Sequence, residues 1–390
     1  MIAVYLIPVY ILFHIHVYRW FLRVMKSIVK KPMKKPVLCI TAVLYGICVL
    51  SFVIAFFLPN TLALTRVLKR IGNYMLGVTL YSFMGILVCD IVWLFRRKKE
   101  NKRNLTAVGG GFVMMFVIVI CVYGAWHAGQ TVTRDYEIDI DGAGEDGVLN
   151  VCLIADLHMG YNTGVKRIRK MVDMINEGNP DIVVFAGDFF DNEYEALENP
   201  DKLSEILREI KSKYGVYSVY GNHDIDERIL AGFTFPKDGK KMSDIRMDEF
   251  IDKSGITRLS DEGLVIGDMV YLYGRPDEER PGRGIEVRKS AEEIMSAAPD
   301  MPVIVVDHEP KELDELAEAG VDVDLCGHTH DGQVWPLNLF SRWVLWENSA
   351  GVLRVGDMTN IVTSGFGLFG PNMRVGTDSE ICRIKINLHK

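Results

Sequence analysis

The stretch VDLCGHTHDGQVW, residues 323–335, sets two histidines two positions apart after a short apolar run. By itself an H-x-H at a strand end fits packed imidazoles as well as metal ligands, so its meaning rests on what else converges there. Four other stretches share its form, a run of strand character closed by a polar cluster. They are CLIADLH ending at His158, VVFAGDFFD ending at Asp191, YSVYGNHD ending at Asp224 and VIVVDHE ending at Glu309.

Each has a plain structural reading. Asp156 and His158 could cap a following helix, Gly187-Asp188 and Gly221-Asn222 are turn dipeptides, and His308 could be a packed strand-end histidine. Taken together they point elsewhere. Seven histidines follow residue 126, and five of them (His158, His223, His308, His328 and His330) fall at these strand ends, with Asp156, Asp188 and Asn222 beside them. Imidazole nitrogen with carboxylate and amide oxygen is a ligand set that first-row divalent metals accept. Seven or eight ligands exceed one tetrahedral ion and suit two ions sharing a carboxylate.

Helical patterns alternate with these strands. VKRIRKMVDMINEG places Val165, Ile168, Met171, Val172 and Ile175 on one face. PDKLSEILREIKSKYG, MDEFIDKSG, the region from Lys289 to Ala297 and KELDELAEAG read as further helices. TVTRDYEIDI, VLNVCLIAD, LVIGDMVYLYGRPD, TNIVTSGFG and EICRIKINL read as strands. The expected fold is α/β, with its site where strand ends gather at one sheet edge.

The first third is different. Apolar runs at about 1–18, 37–58, 71–95 and 105–126 predict four transmembrane helices, the second run carrying no charge. Nothing basic precedes the first run, so a first spanning helix with its N-terminus outside is expected in place of a cleaved signal peptide. Arg19, Arg23, Lys26, Lys30, Lys31, Lys34 and Lys35 lie between the first two runs, and RRKKENKR lies between the last two. The middle connection carries only Arg66, Lys69 and Arg70. The basic loops are therefore expected in the cytoplasm and residues 127–390 outside it, at the cell membrane. Asp90 is expected to pair near Arg96 and Arg97, and His14, His16 and Gly109-Gly110-Gly111 to serve packing.

Residues 1–126 hold 16 basic and 2 acidic residues, leaving 28 basic against 49 acidic in 127–390. A domain of net charge −21 argues against nucleic acid, which needs a basic footprint. The seven cysteines show no framework spacing and are expected as free thiols. Arg275 and Arg283 read as solvated loop residues before phosphate contacts.

The order D-x-H (156–158), G-D-x-x-D (187–191), G-N-H-D (221–224), strand-end His308 and G-H-T-H (327–330) resembles the signature of the calcineurin-like metallophosphoesterases, over roughly residues 135–388. GQVWP, SGFG and the late Glu380 resemble its membrane-associated bacterial subgroup. The resemblance implies a central β-sandwich flanked by helices and two divalent ions (Mn, Fe or Zn). Asp156, His158 and His330 would hold one ion and Asn222, His308 and His328 the other, with Asp188 bridging. His223 would be the catalytic histidine outside the metal shells, oriented by Asp224, with Asp191 supporting the ligands from behind. One departure stands out: Asp331 follows G-H-T-H where the subgroup usually has Gly. The implied activity is hydrolysis of a phosphomonoester or phosphodiester by a hydroxide bridging the two ions. Lipid or cell-envelope phosphoesters are the expected substrates, because hardly any linker separates the last span from the domain. An alternative is a non-catalytic membrane receptor binding a phosphorylated ligand at the same site.

Overall fold

The computed structural model describes residues 2–29, 33–96, 102–230, 233–236, 242–280 and 287–390. They divide into two compact units. One is Met1–His127 with Ile229–Thr234 and Gly370–Met373, and the other is Ala128–Arg228, Phe235–Phe369 and Arg374–Lys390.

The first unit contains helices α1 (Ile2–Val29), α2 (Lys35–Phe56), α3 (Ala63–Arg96) and α4 (Lys102–His127). Among the described residues three helices are long and apolar enough to cross a membrane, at Lys35–Phe56, Ala63–Phe95 and Thr106–His127. Only 11–17% of their most apolar windows is buried within the protein, so apolar surface faces outward almost all round, as in a lipid-facing helix. The first of the four expected spans, in α1, falls partly on residues 1–6, whose side chains lie outside the described residues, as do Lys30, Lys31 and residues 97–101.

One sequence boundary needs correction. Helix α3 starts at Ala63, so Arg66, Lys69 and Arg70 belong to its first turns and not to a loop; nothing from Thr61 to Arg70 breaks a helix, and Thr65 Oγ1 caps back onto Pro59 O at 2.7 Å. Asp90 lies 3.5 Å from His16 Nε2 on the neighbouring helix; the side chains of Arg96 and Arg97, its expected partners, lie outside the described residues. His14 is a packing residue as expected, buried between Tyr45 Oη at 2.7 Å and Thr79 Oγ1 at 3.1 Å.

The second unit starts with β1 (Thr131–Ile140) and β2 (Gly147–Ile154), then α5 (Val165–Glu177), β3 (Ile182–Ala186), α6 (Pro200–Leu207) and β4 (Gly215–Val219). A two-stranded ribbon, β5 (Glu227–Leu230) and β6 (Phe233–Pro236), precedes α7 (Ile245–Lys253), β7 (Thr257–Arg258), β8 (Glu262–Ile266) and β9 (Val270–Gly274). Then come α8 (Ala291–Ala297), β10 (Val303–Val306), α9 (Leu313–Ala319), β11 (Val323–Cys326), α10 (Leu337–Phe340), β12 (Gly351–Val355), β13 (Met358–Val362) and β14 (Ser379–Leu388). One six-stranded sheet runs β1-β14-β2-β3-β4-β7 and the other β12-β13-β11-β10-β9-β8.

Strand alternation builds three layers of core. Leu149, Val151 and Leu153 of β2 face Val270, Ile304, Val306 and Leu325 of the other sheet in one buried cluster. Cys152 and Ile154 point the opposite way, against Ile168, Met171 and Val172 of α5 and Leu203 and Ile206 of α6. On the far sheet Val303 and Val305 pack on Ala291, Leu313 and Leu316 of α8 and α9. This is a mixed-sheet sandwich flanked by helices, as the resemblance implied.

Helix α6 is shorter than its sequence pattern, stopping at Leu207. Beyond it the Asn176 side chain takes Lys211 N–H at 2.7 Å and gives Nδ2–H to Glu209 O at 3.0 Å, offering the backbone partners other than a continued helix. Strand β12 escaped the sequence reading; it pairs antiparallel with β13 through a tight turn at Gly356-Asp357. All seven cysteines are unpaired thiols.

Leu153 is fully buried between the sheets. Leu153→Ala is expected to cost roughly 2–5 kcal/mol, read as a lowered thermal midpoint of the catalytic unit in detergent-solubilised protein.

Candidate metal centre

Strands β2, β3 and β4 are parallel to one another, as are β9, β10, β11 and β13. The carboxyl ends of β2, β3, β4, β10 and β11 therefore deliver their following residues to one rim. Two ligand groups form there. In the first, ligand atoms of Asp156, His158 and His330 lie within 4.8 Å of one another, all buried. In the second, ligand atoms of Asp188, His308 and His328 lie equally close, the first two buried and His328 half-buried. Asn222 joins the second group, its Oδ1 3.0 Å from His308 Nε2 and 3.1 Å from His328 Nδ1.

The local backbone is bent to make this happen. Asp156, His158, Asp188, His328 and His330 all have positive φ, between 42° and 68°. L-residues hold that conformation at a cost of order 1–3 kcal/mol each, so the surrounding fold must impose it. Gly187, with φ 82°, is required by space as well, since a Cβ there would meet His308 Nδ1 and the Gly221 backbone. The helix-cap reading of Asp156 and His158 does not hold: α5 begins after Gly164 with no side-chain cap.

The imidazoles are oriented from behind. His308 Nδ1 donates to Ala186 O at 2.8 Å, leaving its Nε2 turned to Asp188 Oδ2 at 3.2 Å. His328 Nε2 lies 3.2 Å from Glu309 Oε1, so its Nδ1 faces the cluster. A carboxylate or carbonyl holding the outer nitrogen is how metal-binding histidines are usually fixed. Sequence reading missed Glu309, although it stands beside His308 in the VIVVDHE run.

The electrostatics suit cations. Burial pushes His328 down to about 3 and holds His158 below, and His330 well below, the usual imidazole range. These rings are therefore neutral with free lone pairs. His158 Nε2 and His330 Nε2 nevertheless lie 3.0 Å apart, and His328 Nδ1 and His308 Nε2 3.2 Å apart. In the metal-free chain a proton on one nitrogen of each pair can bridge to the other, and once it leaves both lone pairs point at one spot. Two nitrogens about 2.1 Å from one ion at a right angle would sit about 3 Å apart, so the donors fit divalent metals. Burial raises Asp156 to about 7, while the histidines around Asp188 outweigh its burial and hold it well below the usual carboxylate range. His308, although buried, is raised well above the ordinary imidazole value by Asp188.

Other candidates sit differently from the sequence expectation. His223 lies beside the first group, its ring centroid 5.1 Å from that of His158 and 4.5 Å from that of Phe369. Asp224 does not orient it. The Asp224 oxygens accept from Asp188 N at 2.9 Å, Phe190 N at 3.0 Å and Gly221 N at 2.8 Å, tying the β3 and β4 loops together. The partner of His223 Nδ1 is Asn192 Oδ1, a residue that follows directly on the GDFFD run. Asp191 acts at longer range, its charge favouring protonation of His158. Asp331 is no ligand: it is buried and pairs with Arg342, Nε to Oδ1 at 2.7 Å, and also accepts from Ser349 Oγ at 3.2 Å. Arg275 is fully buried between Asp307 at 2.9 Å and Glu312 at 2.5 Å, so it is neither a solvated nor a phosphate-facing residue; Arg283 lies outside the described residues. Arg374, also unforeseen, is buried behind the first group and donates to Ser364 O at 2.7 Å, Gly365 O at 3.0 Å and Gly367 O at 3.1 Å.

Residues 149–332 match the family profile described as calcineurin-like phosphoesterase. The chain carries a calcineurin-like phosphoesterase domain. It is 27% identical over 379 residues to a zebrafish (Danio rerio) transmembrane protein with metallophosphoesterase domain, covering 89% of this chain and 79% of that one. The cattle (Bos taurus) protein of the same description is 26% identical, over 73% of this chain and 64% of its own length. An uncharacterized metallophosphoesterase of Campylobacter jejuni is 28% identical over 64% and 61% respectively. The profile ends at Gly332, so Arg374, Glu380 and the aromatic run after Val334 lie beyond it.

Two outcomes are expected. Asp331→Asn retains the metal stoichiometry of the parent protein by elemental analysis, whereas His330→Ala loses metal. Asp188 raises His308 well above the ordinary imidazole value, so metal uptake competes with its proton. Affinity therefore rises with pH through the neutral range, and calorimetry in buffers of differing ionisation enthalpy should read the released proton.

Proposed function

We propose that the chain is a membrane-anchored phosphoesterase that holds two divalent cations (Mn, Fe or Zn) and hydrolyses a phosphomonoester or phosphodiester. One observation carries the dinuclear reading. Asp188 Oδ2 lies 3.2 Å from His308 Nε2 of one ligand group and 3.7 Å from His158 Nε2 of the other. A single carboxylate oxygen within reach of both groups is what a bridging ligand requires.

Bound there, the two ions would polarise phosphoryl oxygens and acidify a water. The chain's own residues supply the rest. Asp156, His158 and His330 hold one side of the rim, and Asn222, His308 and His328 the other. His223 stays outside both sets. Burial pushes it down to about 3, so it is neutral at rest, with Nδ1–H on Asn192 and Nε2 an acceptor. An anionic phosphoryl group beside it favours its protonated form, and that proton is then available to the leaving oxygen. Phe369 confines the ring on one face.

The basic residues between α1 and α2 and between α3 and α4 support a four-span arrangement with the catalytic domain outside the cytoplasm. Tethering there favours phosphorylated lipids or envelope intermediates as substrates.

The test is metal-dependent hydrolysis of a chromogenic phosphodiester by the full chain in detergent. Release that requires Mn²⁺ and is abolished in a folded Asp188→Asn variant supports the reading; metal-loaded protein without turnover favours a phospholigand receptor. His223→Ala is expected to lower kcat roughly 10²–10⁴-fold for an alkyl leaving group, and less for nitrophenolate, which leaves without a proton. A C-terminal reporter fusion is expected to score as exported.

A further inference from the structure

Three of the six tryptophans stand in one twelve-residue run, WPLNLFSRWVLW, residues 335–346, separated by four residues from the H-T-H of the candidate metal site. The run forms α10 and a wider helical turn over Ser341–Leu345. Its large side chains point outward. Trp343 is 77% exposed, Val344 65%, Leu345 57%, Phe340 50%, Leu337 46% and Trp335 39%. A contiguous apolar surface of this kind on a folded domain marks an interaction site.

The run is held in place rather than loose. Its single charge, Arg342, is neutralised by the buried Asp331 carboxylate. Ser341 Oγ bonds Ser349 Oγ at 2.7 Å, and Thr329 Oγ1, between the two ligand histidines, donates to Ser349 O. At its end the Trp346 ring stands edge-on to His328, centroids 5.1 Å apart. The run thus ends against a candidate ligand at the rim of the metal centre.

We propose that residues 335–346 insert into the interfacial layer of the phospholipid bilayer in which the same chain is anchored. Three features select lipid over a protein partner. Only Ala128–Gln130 separate α4 from β1, a reach of about 10 Å, so the bilayer is present at high effective concentration. Tryptophan is the residue enriched at membrane interfaces, where its ring meets headgroups. The run carries no unpaired charge, so insertion needs no ion partner and does not require anionic lipid. Asp331, the departure from the family pattern, then has a physical role: it cancels the one charge that would resist insertion. The run would open the metal centre directly onto the headgroup layer.

The proposal rests on the N-terminal helices being membrane spans, and the experiment separates the two. Full-length protein with Trp20, Trp93 and Trp126 changed to Phe is reconstituted in nanodiscs of phosphatidylcholine, with and without bromine on the upper acyl chain. Loss of tryptophan emission in brominated lipid, most of it removed by Trp343→Phe, is expected. Emission unchanged by bromine but quenched by acrylamide would overturn the proposal, and emission shielded from both would overturn it in favour of a protein neighbour. In the converse variant, with Trp335, Trp343 and Trp346 as Phe, bromine quenching of the span tryptophans checks the anchoring independently. If either triple variant fails to fold, the difference in quenching between the intact chain and Trp343→Phe alone carries the same reading.

Discussion

A buried carboxylate, Asp188, stands between two sets of imidazole nitrogens, and the rest of the catalytic unit is arranged to keep it there. Its own backbone is in the left-handed region, at φ 56°. Its Oδ1 takes the N–H of His223 at 2.8 Å and its N–H goes to Asp224, so the β3 and β4 loops are locked to each other through it. Asp156, His158, His328 and His330 share that left-handed backbone, which strains the chain at the rim. Only a tightly packed double sheet behind them can hold that arrangement open for cations.

The same logic explains the buried groups around the rim. Asp224 gives up a direct catalytic contact and gathers three backbone N–H groups. Glu309 and Ala186 O fix the outer nitrogens of His328 and His308, and Asn192 does the same for His223. Arg374 closes the loop after β13 behind His330. Each of these side chains acts by restricting another, and none need face the reacting phosphorus.

The N-terminal helices and the aromatic run pose one physical problem in two forms, apolar surface with no protein to cover it. In α2, α3 and α4 it is continuous round the helix for twenty or more residues and calls for a bilayer core. In residues 335–346 it is a compact patch on a folded domain, suited to the interface and not to the interior. Within it the one charged side chain, the half-exposed Arg342, is paired with Asp331.

The sequence alone carried the family resemblance, the candidate ligand residues and the long apolar runs, because each is written in local chemistry: ordered polar clusters after β-runs, and long runs nearly free of charge. It read most helices and strands correctly for the same reason, through period. Tertiary structure decided what depends on neighbours distant in the chain. The β12 hairpin, the early end of α6 at the Asn176 side chain, and the start of α3 are set by contacts or continuity that no local pattern shows. So are the transfer of the His223 partner from Asp224 to Asn192 and the burial of Arg275 between two carboxylates. Asp331 is the sharpest case. In sequence it is one more carboxylate beside a metal motif, and only the folded chain, by turning it toward Arg342, makes it a neutralising brace.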